Sequence, residues 1–151
     1  MISIKKTDSN HLDFIKLVKD LDIDLEAYYK EETPFYDELN NIELIKYVVI
    51  IYDENNTPIG CGGIKEFSAK EMEIKRMFVS PTCRGKGIAT VILNELENWS
   101  KELKFKECIL ETLKEKSYAI AFYKKNNYQE IPNYGDYKNA KNSICFAKQL
   151  I

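Results

Sequence analysis

Arg84-Gly85-Lys86-Gly87-Ile88-Ala89 stands between an apolar segment that ends at Val79 and a helical pattern that begins near Thr90. Glycine allows left-handed backbone angles and close approach of the main chain to a ligand. The first turn of a helix has N–H groups without intrahelical partners, which makes a glycine turn at a strand-to-helix junction typical of phosphate sites. Similar turns also occur without any ligand, so the neighbouring segments must decide between a plain turn and an anion site.

The composition predicts one globular domain over residues 1–151. Hydrophobic residues make up 44% of the chain, which is enough for one substantial core, and a length of 151 residues is short for two domains. The 22 lysines and arginines nearly balance 24 aspartates and glutamates, so we expect no nucleic-acid or membrane partner, and any anion site must be local. The apolar run Tyr47 to Tyr52 is too short to span a membrane, and the N-terminal residues lack a signal-peptide pattern, which predicts a cytoplasmic protein.

The four cysteines argue against a metal centre. They lie far apart without a C-x-x-C pair, and the chain has a single histidine, so we predict neither a metal site nor a disulfide framework. Cys83 lies next to Arg84, where positive charge favours the thiolate. The sequence offers no histidine partner for a Cys-His nucleophile, so we interpret Cys83 as a small turn residue.

Upstream of the glycine turn, the pattern predicts a hairpin and then a third strand. Tyr47 to Tyr52 and Ile59 to Phe67 flank the turn-forming residues 53–58. In Glu71 to Val79 the side chains alternate between Met72, Ile74 and Arg76 on one face and Glu73, Lys75 and Met77 on the other. The alternation lapses at Met77 to Val79, which suits a β-bulge or a buried strand end.

The first third of the chain predicts a strand and several helical pieces. Ile2 to Lys5 alternates, and a helix with an apolar side follows over Leu12 to Leu21. Two further helical pieces are predicted at Leu25 to Lys30 and near Tyr36 to Ile45, separated by Thr33-Pro34.

Downstream of the glycine turn, the sequence predicts a helix, a strand, a second helix and two closing strands. Glu95, Glu97, Lys101 and Glu102 mark the polar side of the helix from Thr90. The second helix follows Ser117, and Asn126-Asn127 can end it in left-handed geometry. The closing strands are Tyr128 to Ile131 and Ser143 to Leu150. A strand–helix–strand order implies that the strands before and after the glycine turn are parallel neighbours.

These features together resemble the GCN5-related N-acetyltransferase (GNAT) family. The pyrophosphate motif of that family, Gln/Arg-x-x-Gly-x-Gly/Ala, is matched by Arg84, Gly87 and Ala89. Glu73 to Pro81 resembles its central strand, and Ala121 to Tyr128 its late helix-to-strand passage. The resemblance implies an α/β fold, with a mixed, mainly antiparallel sheet of six or seven strands, a central parallel pair that splays apart, and helices on both faces.

The resemblance implies acetyl-CoA as cosubstrate. Main-chain groups left unpaired where the parallel strands splay would bind the pantetheine arm, and the glycine turn would bind the pyrophosphate. The implied cofactor-binding residues are Met77, Phe78, Val79, Arg84, Gly85, Lys86, Gly87, Ile88, Ala89 and Thr90.

The implied reaction is transfer of acetyl from acetyl-CoA to a primary amine of a small molecule, a protein N-terminus or a lysine. An ammonium must lose a proton before it attacks, and the departing thiolate gains one. Tyr123 stands at the position of the family's tyrosine acid. Glu73 and Glu111 are equal candidates for the base, either directly or through a water. Lys116 stands where many relatives have an asparagine that contacts the cofactor, so that contact is left open.

Three alternatives concern the acceptor, the activity and the assembly. Glu71, Glu73 and Glu111 near the cleft favour a cationic acceptor, and the aromatic residues Tyr28, Tyr29, Phe35 and Tyr36 could line its pocket or belong to the core. A non-catalytic CoA-binding sensor would show the same motifs. A homodimer could use the closing strand with Tyr134 and Tyr137 as its interface.

Overall fold

The computed structural model describes residues 1–29 and 41–151, which form a sheet with helices on both faces. The strands are β1 (Ser3–Thr7), β2 (Tyr47–Tyr52), β3 (Pro58–Glu66), β4 (Glu71–Val79), β5 (Glu107–Leu113), β6 (Gln129–Ile131) and β7 (Ser143–Gln149). The helices are α1 (Leu12–Tyr29), α2 (Ile88–Glu102) and α3 (Ser117–Lys125). Short 3₁₀ helices occupy Ile42–Leu44, Pro81–Cys83 and Gly135–Tyr137.

The β2 strand is buried on both faces because its apolar side chains alternate between two cores. Val48 and Ile50 pack into the cluster beneath α1. Val49 and Ile51 pack into the opposite cluster, with side chains of α2 and α3. A continuous apolar run therefore marks a strand between two helical layers.

The strand order is β1-β2-β3-β4-β5-β7-β6, and only β4 and β5 pair in parallel. Their pairing runs from Glu71 opposite Glu107 to Glu73 opposite Ile109 and then stops. The rest of β4 remains paired with β3, and the rest of β5 with β7. The predicted fold class, a mainly antiparallel sheet with a splayed parallel pair, is confirmed.

A β-bulge on β4 corrects the predicted facing of its side chains. Cys61 pairs with Phe78 and Gly63 pairs with Lys75, so Gly62 lies opposite two residues, Arg76 and Met77. Arg76 takes the left-handed region at φ 59°. The extra residue reverses the alternation, because a strand repeats every two residues. The prediction that Arg76 shares a face with Met72 and Ile74 is therefore wrong: Arg76 contacts α1, and Met77 packs in the α2 cluster with Met72 and Ile74.

Gly62 lets α2 lie directly against the sheet beside this bulge. A Cβ at Gly62 would lie 2.7 Å from Met77 Sδ and 2.8 Å from Ile92 Cγ2. Gly62 therefore lies both opposite a bulge and at a close approach of a helix to the sheet.

The N-terminal helix is longer than the pattern indicates. The piece predicted at Leu25 to Lys30 continues α1, which reaches Tyr29 without a break. Residues 30–40 lie outside the described part of the chain, together with Phe35, Tyr36 and most of the helix predicted near Tyr36 to Ile45. Among the described residues, no helix has the length and apolarity needed to cross a membrane.

Candidate active site

A cavity of about 430 Å³ opens where β4 and β5 separate, between the glycine turn and the first turns of α2 and α3. Nine of the ten residues predicted to bind the cofactor line it. They are Met77, Phe78, Val79, Arg84, Gly85, Gly87, Ile88, Ala89 and Thr90. The tenth, Lys86, is exposed and is not part of the wall. The structure thus brings together residues that sequence analysis grouped by motif, while their role in binding stays a prediction.

The glycine turn has the conformation that a phosphate cradle requires. Gly85 and Gly87 have φ of 77° and 82°, in the left-handed region that glycine adopts without strain. A Cβ at either position would meet nothing within 4 Å, so the space beside the turn is open. Gly87 is the residue that caps α2, so the unpaired N–H groups of that helix border the same cavity. An anionic diphosphate fits this arrangement.

Arg84 joins the turn to both β4 and α1. Its Nε–H donates to Val79 O at 2.8 Å, and Nη2 donates to Asp24 Oδ2 at 3.0 Å. The expectation of unpaired main-chain groups is therefore wrong for Val79 O. Met77 has no residue directly opposite it in the β3 register because of the bulge, and its contact with the pantetheine arm stays a prediction.

A second, smaller cavity of about 80 Å³ lies on the α1 side of the same gap. Its charged groups belong to Glu73, Lys75, Arg76, Glu111 and Lys116. Five residues line both cavities: Leu21, Met77, Thr112, Lys116 and Tyr123. The two cavities therefore meet where the parallel strands splay, and a group bound in one can reach a group bound in the other.

Tyr123 projects from α3 into this junction. Its ring is 8% exposed and packs edge-on against Phe122 and Tyr128, with centroid distances of 5.2 and 5.8 Å. Burial, together with the nearby charge of Glu111, raises the pKa of the Tyr123 phenol. The phenol therefore remains protonated at neutral pH and available as a proton donor.

The two predicted carboxylates lie on the α1 side of the junction, each held by a hydroxyl. Glu111 Oε2 accepts a hydrogen bond of 2.5 Å from Ser143 Oγ, and Glu73 Oε2 accepts one of 2.6 Å from Tyr134 Oη. Burial raises the pKa of Glu111 to about 7, although the Ser143 hydrogen bond and the charge of Lys75 act in the opposite direction. Such a carboxyl group can take up and release a proton near neutral pH.

Glu71 does not belong to this group, contrary to its predicted place near the cleft. Its Oε1 accepts from Ser68 Oγ in the turn before β4, and it lines neither cavity. The side chain is thus part of a turn, and the acidic character of the cleft rests on Glu73 and Glu111.

Several residues of the site were not found by sequence reasoning. Lys75, from β4, donates to Tyr137 Oη at 2.9 Å, and burial lowers its pKa. Tyr137 is 4% exposed, so it belongs to the wall of the smaller cavity and not to the predicted dimer surface. The homodimer itself stays a prediction. Tyr134 and Tyr137 reach the site from the segment between β6 and β7, and Ser143 from the first position of β7. Only the aromatic residues after β6 signalled this contribution in the sequence.

The cysteines and acidic groups form no metal cluster within the described residues. Cys61, Cys108 and Cys145 are buried thiols, in agreement with their apolar sequence context. Cys83 lines the larger cavity.

Comparisons with known proteins agree with this geometry. Residues 15–128 match the model of the acetyltransferase (GNAT) family. An IAA acetyltransferase from Azospirillum brasilense is 27% identical over 137 residues, covering 90% of each chain. A Klebsiella pneumoniae protein assigned as an acyl-CoA N-acyltransferase is similar in structure, with a TM-score of 0.84 and 24% identity over 100% of this chain and 99% of the other. The PaiA N-acetyltransferase of Thermoplasma acidophilum, solved with coenzyme A, has a TM-score of 0.74 and 20% identity, covering 99% of each chain.

Proposed function

The chain belongs to the acetyltransferase (GNAT) family, and from that premise we propose that it transfers acetyl from acetyl-CoA to a primary amine bound in the smaller cavity. The family assignment confirms the recognition made from the glycine motif, the acyltransferase class and acetyl-CoA as cosubstrate. The meeting of the two cavities at the splayed strands carries the proposal, because it brings an acyl donor and an acceptor together between a carboxylate and a phenol.

The larger cavity is proposed to bind the cosubstrate. Main-chain amides of residues 84–90, at the start of α2, would hold the pyrophosphate, supported by the open space beside Gly85 and Gly87. Met77, which has no residue directly opposite it in β3 because of the bulge, would hydrogen-bond the pantetheine arm through its main chain, as an added strand does. Arg84 would supply positive charge while it remains bonded to Asp24 and Val79.

Proton transfer is assigned to residues on the two sides of the junction. Bound acetyl-CoA supplies an acetyl carbon activated by its thioester. Glu111 accepts the proton that the amine loses as its nitrogen bonds to that carbon. Tyr123 donates its phenolic proton to the sulfur as the carbon–sulfur bond breaks, and it regains a proton from water. Tyr123 is protonated at neutral pH because its pKa is raised, and Glu111, with a pKa of about 7, exchanges between its acid and base forms near neutral pH.

Glu111 is preferred over Glu73 as the base. Glu111 stands two residues beyond Ile109, the last residue of β5 that pairs with β4, so it borders the gap itself. Glu73 is in the last parallel pair of β4 and β5, and its carboxylate accepts a hydrogen bond from the Tyr134 hydroxyl. Its proposed role is to orient the amine from the far side of the cavity.

A thiol-release assay over a broad panel of amines tests the proposal, combined with calorimetric titration of acetyl-CoA. We expect tight acetyl-CoA binding and amine-dependent release of free thiol. Binding of acetyl-CoA without thiol release for any amine would instead indicate the non-catalytic sensor.

Tyr123→Phe is expected to lower kcat by about 100-fold while the dissociation constant of acetyl-CoA changes less than about threefold, because the lost hydroxyl acts only as the bond breaks. Steady-state kinetics and calorimetry measure the two quantities. Tyr128→Phe is the matched control, since it deletes a neighbouring buried hydroxyl that donates to Glu97 Oε2 at 2.8 Å. The control should lose stability but keep its kcat. Equal kcat in Tyr123→Phe and the wild type would remove the phenol as the acid.

A further inference from the structure

Lys116 is a cation at the junction of the two cavities without an anionic partner in the described part of the chain. Its Nζ lies 6.0 Å from the ring centroid of Tyr28 and 5.4 Å from that of Tyr118, and it forms no hydrogen bond or ion pair with a described residue. Lys116 is the N-cap residue of α3, and the positive end of the helix dipole at this position disfavours a second positive charge. Burial lowers its pKa, as expected for an ammonium that lacks a counter-ion.

The neighbouring acidic groups on α1 already have partners. Asp24 binds Arg84, and Asp22 binds Arg76, whose guanidinium also donates to Val18 O. Arg76 is 7% exposed and lines the smaller cavity, and its buried Nε has no hydrogen-bond partner among the described residues. Because both aspartates are paired with arginines, Lys116 is left as a surplus positive charge in this part of the described structure.

The smaller cavity also contains acidic groups. Glu73 and Glu111 lie there with Lys75, and Glu111 is near enough to Lys116 for each to shift the pKa of the other. A ligand with one positive and one negative group matches this arrangement better than the purely cationic acceptor that the carboxylates alone suggested. The volume of about 80 Å³ limits such a ligand to a small molecule.

We infer that the acceptor amine also has a carboxylate, as in a small free amino acid, and that Lys116 binds this carboxylate as a specificity-determining residue. The inference rests on the proposed function and names its substrate class. The ammonium group of the acceptor lies towards Glu111 and the carboxylate towards Lys116. A charge-assisted hydrogen bond of this kind discriminates strongly against a ligand that lacks the anionic group.

The test compares amino acids with the amines obtained by removing the carboxylate: alanine with ethylamine, leucine with isopentylamine, and phenylalanine with phenethylamine. We expect the wild type to favour the amino acid by about 10- to 100-fold in kcat/KM, the range of a charge-assisted hydrogen bond. Lys116→Met should reduce this preference to less than about threefold, and Lys116→Arg should restore part of it, since arginine also binds carboxylates. Lys124→Met, on the exposed side of α3, should keep the preference.

Calorimetry separates this inference from the proposed function. Each amino acid and each matched amine is titrated into CoA-saturated protein, and acetyl-CoA is titrated into every variant. Carboxylate-dependent binding that disappears in Lys116→Met, without thiol release in any assay, would support the inference and contradict the proposed function. Equal binding and turnover of the two ligand types would overturn the inference alone. It would also be overturned if Lys116→Met weakened acetyl-CoA binding and kept the carboxylate preference, because Lys116 would then be a cofactor contact.

Discussion

Replacing Gly87 with valine is expected to weaken acetyl-CoA binding by at least about 100-fold while the chain remains folded. Gly87 caps α2 at φ 82°, and a side chain at this position would enter the space proposed for the pyrophosphate, where no protein atom lies within 4 Å of a Cβ. The open space means that the substitution creates no clash inside the protein. The left-handed backbone costs a non-glycine residue about 1–2 kcal/mol, which a folded domain tolerates.

Asn127→Val is the matched control for Gly87→Val. Asn127 is exposed, has φ 72° at the end of α3, and lies outside both cavities, so valine there meets the same backbone strain without a ligand site. Both variants should lose similar thermal stability, whereas only Gly87→Val should lose acetyl-CoA affinity by calorimetry. An unchanged affinity in Gly87→Val would refute the assignment of the pyrophosphate site.

The glycine turn was predictable because its function depends on local backbone conformation. Gly85 and Gly87 are left-handed and lie at a helix start, and both features follow from neighbouring residues in the sequence. The parallel pairing of β4 with β5 was predictable for a similar reason, since a strand–helix–strand unit makes its two strands parallel neighbours.

The sequence did not predict equally well which face of the sheet each β4 side chain lies on. The lapse in alternation indicated a bulge, but one inserted residue decides whether Arg76 faces α1 or α2. The sequence placed the lapse at Met77 to Val79, one residue after the left-handed Arg76. Because register depends on pairing with β3, the strand alone does not contain this information.

The pattern of polar and apolar residues also did not predict the polar contacts between segments that are distant in the sequence. Glu97 was predicted on the wet side of α2, yet it is 6% exposed and binds Lys148 and Tyr128 from other elements. Arg84 likewise pairs with Asp24, which is sixty positions earlier in the chain. A helical pattern shows which residues share a face, and the partners of that face depend on the tertiary fold.

Glu111→Gln is expected to lower kcat/KM by about 100- to 1,000-fold at pH 8, because the amide cannot accept the proton of the acceptor amine. The wild-type profile of kcat/KM should rise with pH through about 7, the pKa of Glu111, and the variant should lack that rise. Glu73→Gln carries the same change in the same cavity and should keep the rise near pH 7. If Glu73→Gln loses the rise and Glu111→Gln keeps it, the roles of the two carboxylates are reversed.

The same substitution should stabilise the protein in alkaline solution, which separates a catalytic effect from a folding defect. The pKa of Glu111 is about 7 in the folded protein against an ordinary value of 4.5, so between these pH values the folded state binds more protons than the unfolded state. Wild-type stability therefore falls as pH rises from about 4.5 to 7, and the cost of burying the ionised group persists above pH 7. Glutamine has no such cost and can still accept the hydrogen bond of Ser143.

The expected gain in the free energy of unfolding for Glu111→Gln is up to about 3 kcal/mol at pH 8 and below about 1 kcal/mol at pH 5. Urea unfolding at the two pH values measures the difference. A variant that is more stable and less active at pH 8 would mean that the wild type retains a destabilising buried carboxylate for its proton affinity, as active sites commonly do. Equal stabilisation at both pH values would show that the gain comes from packing or hydrogen bonding, and the raised pKa would lose its support as the basis of the catalytic assignment.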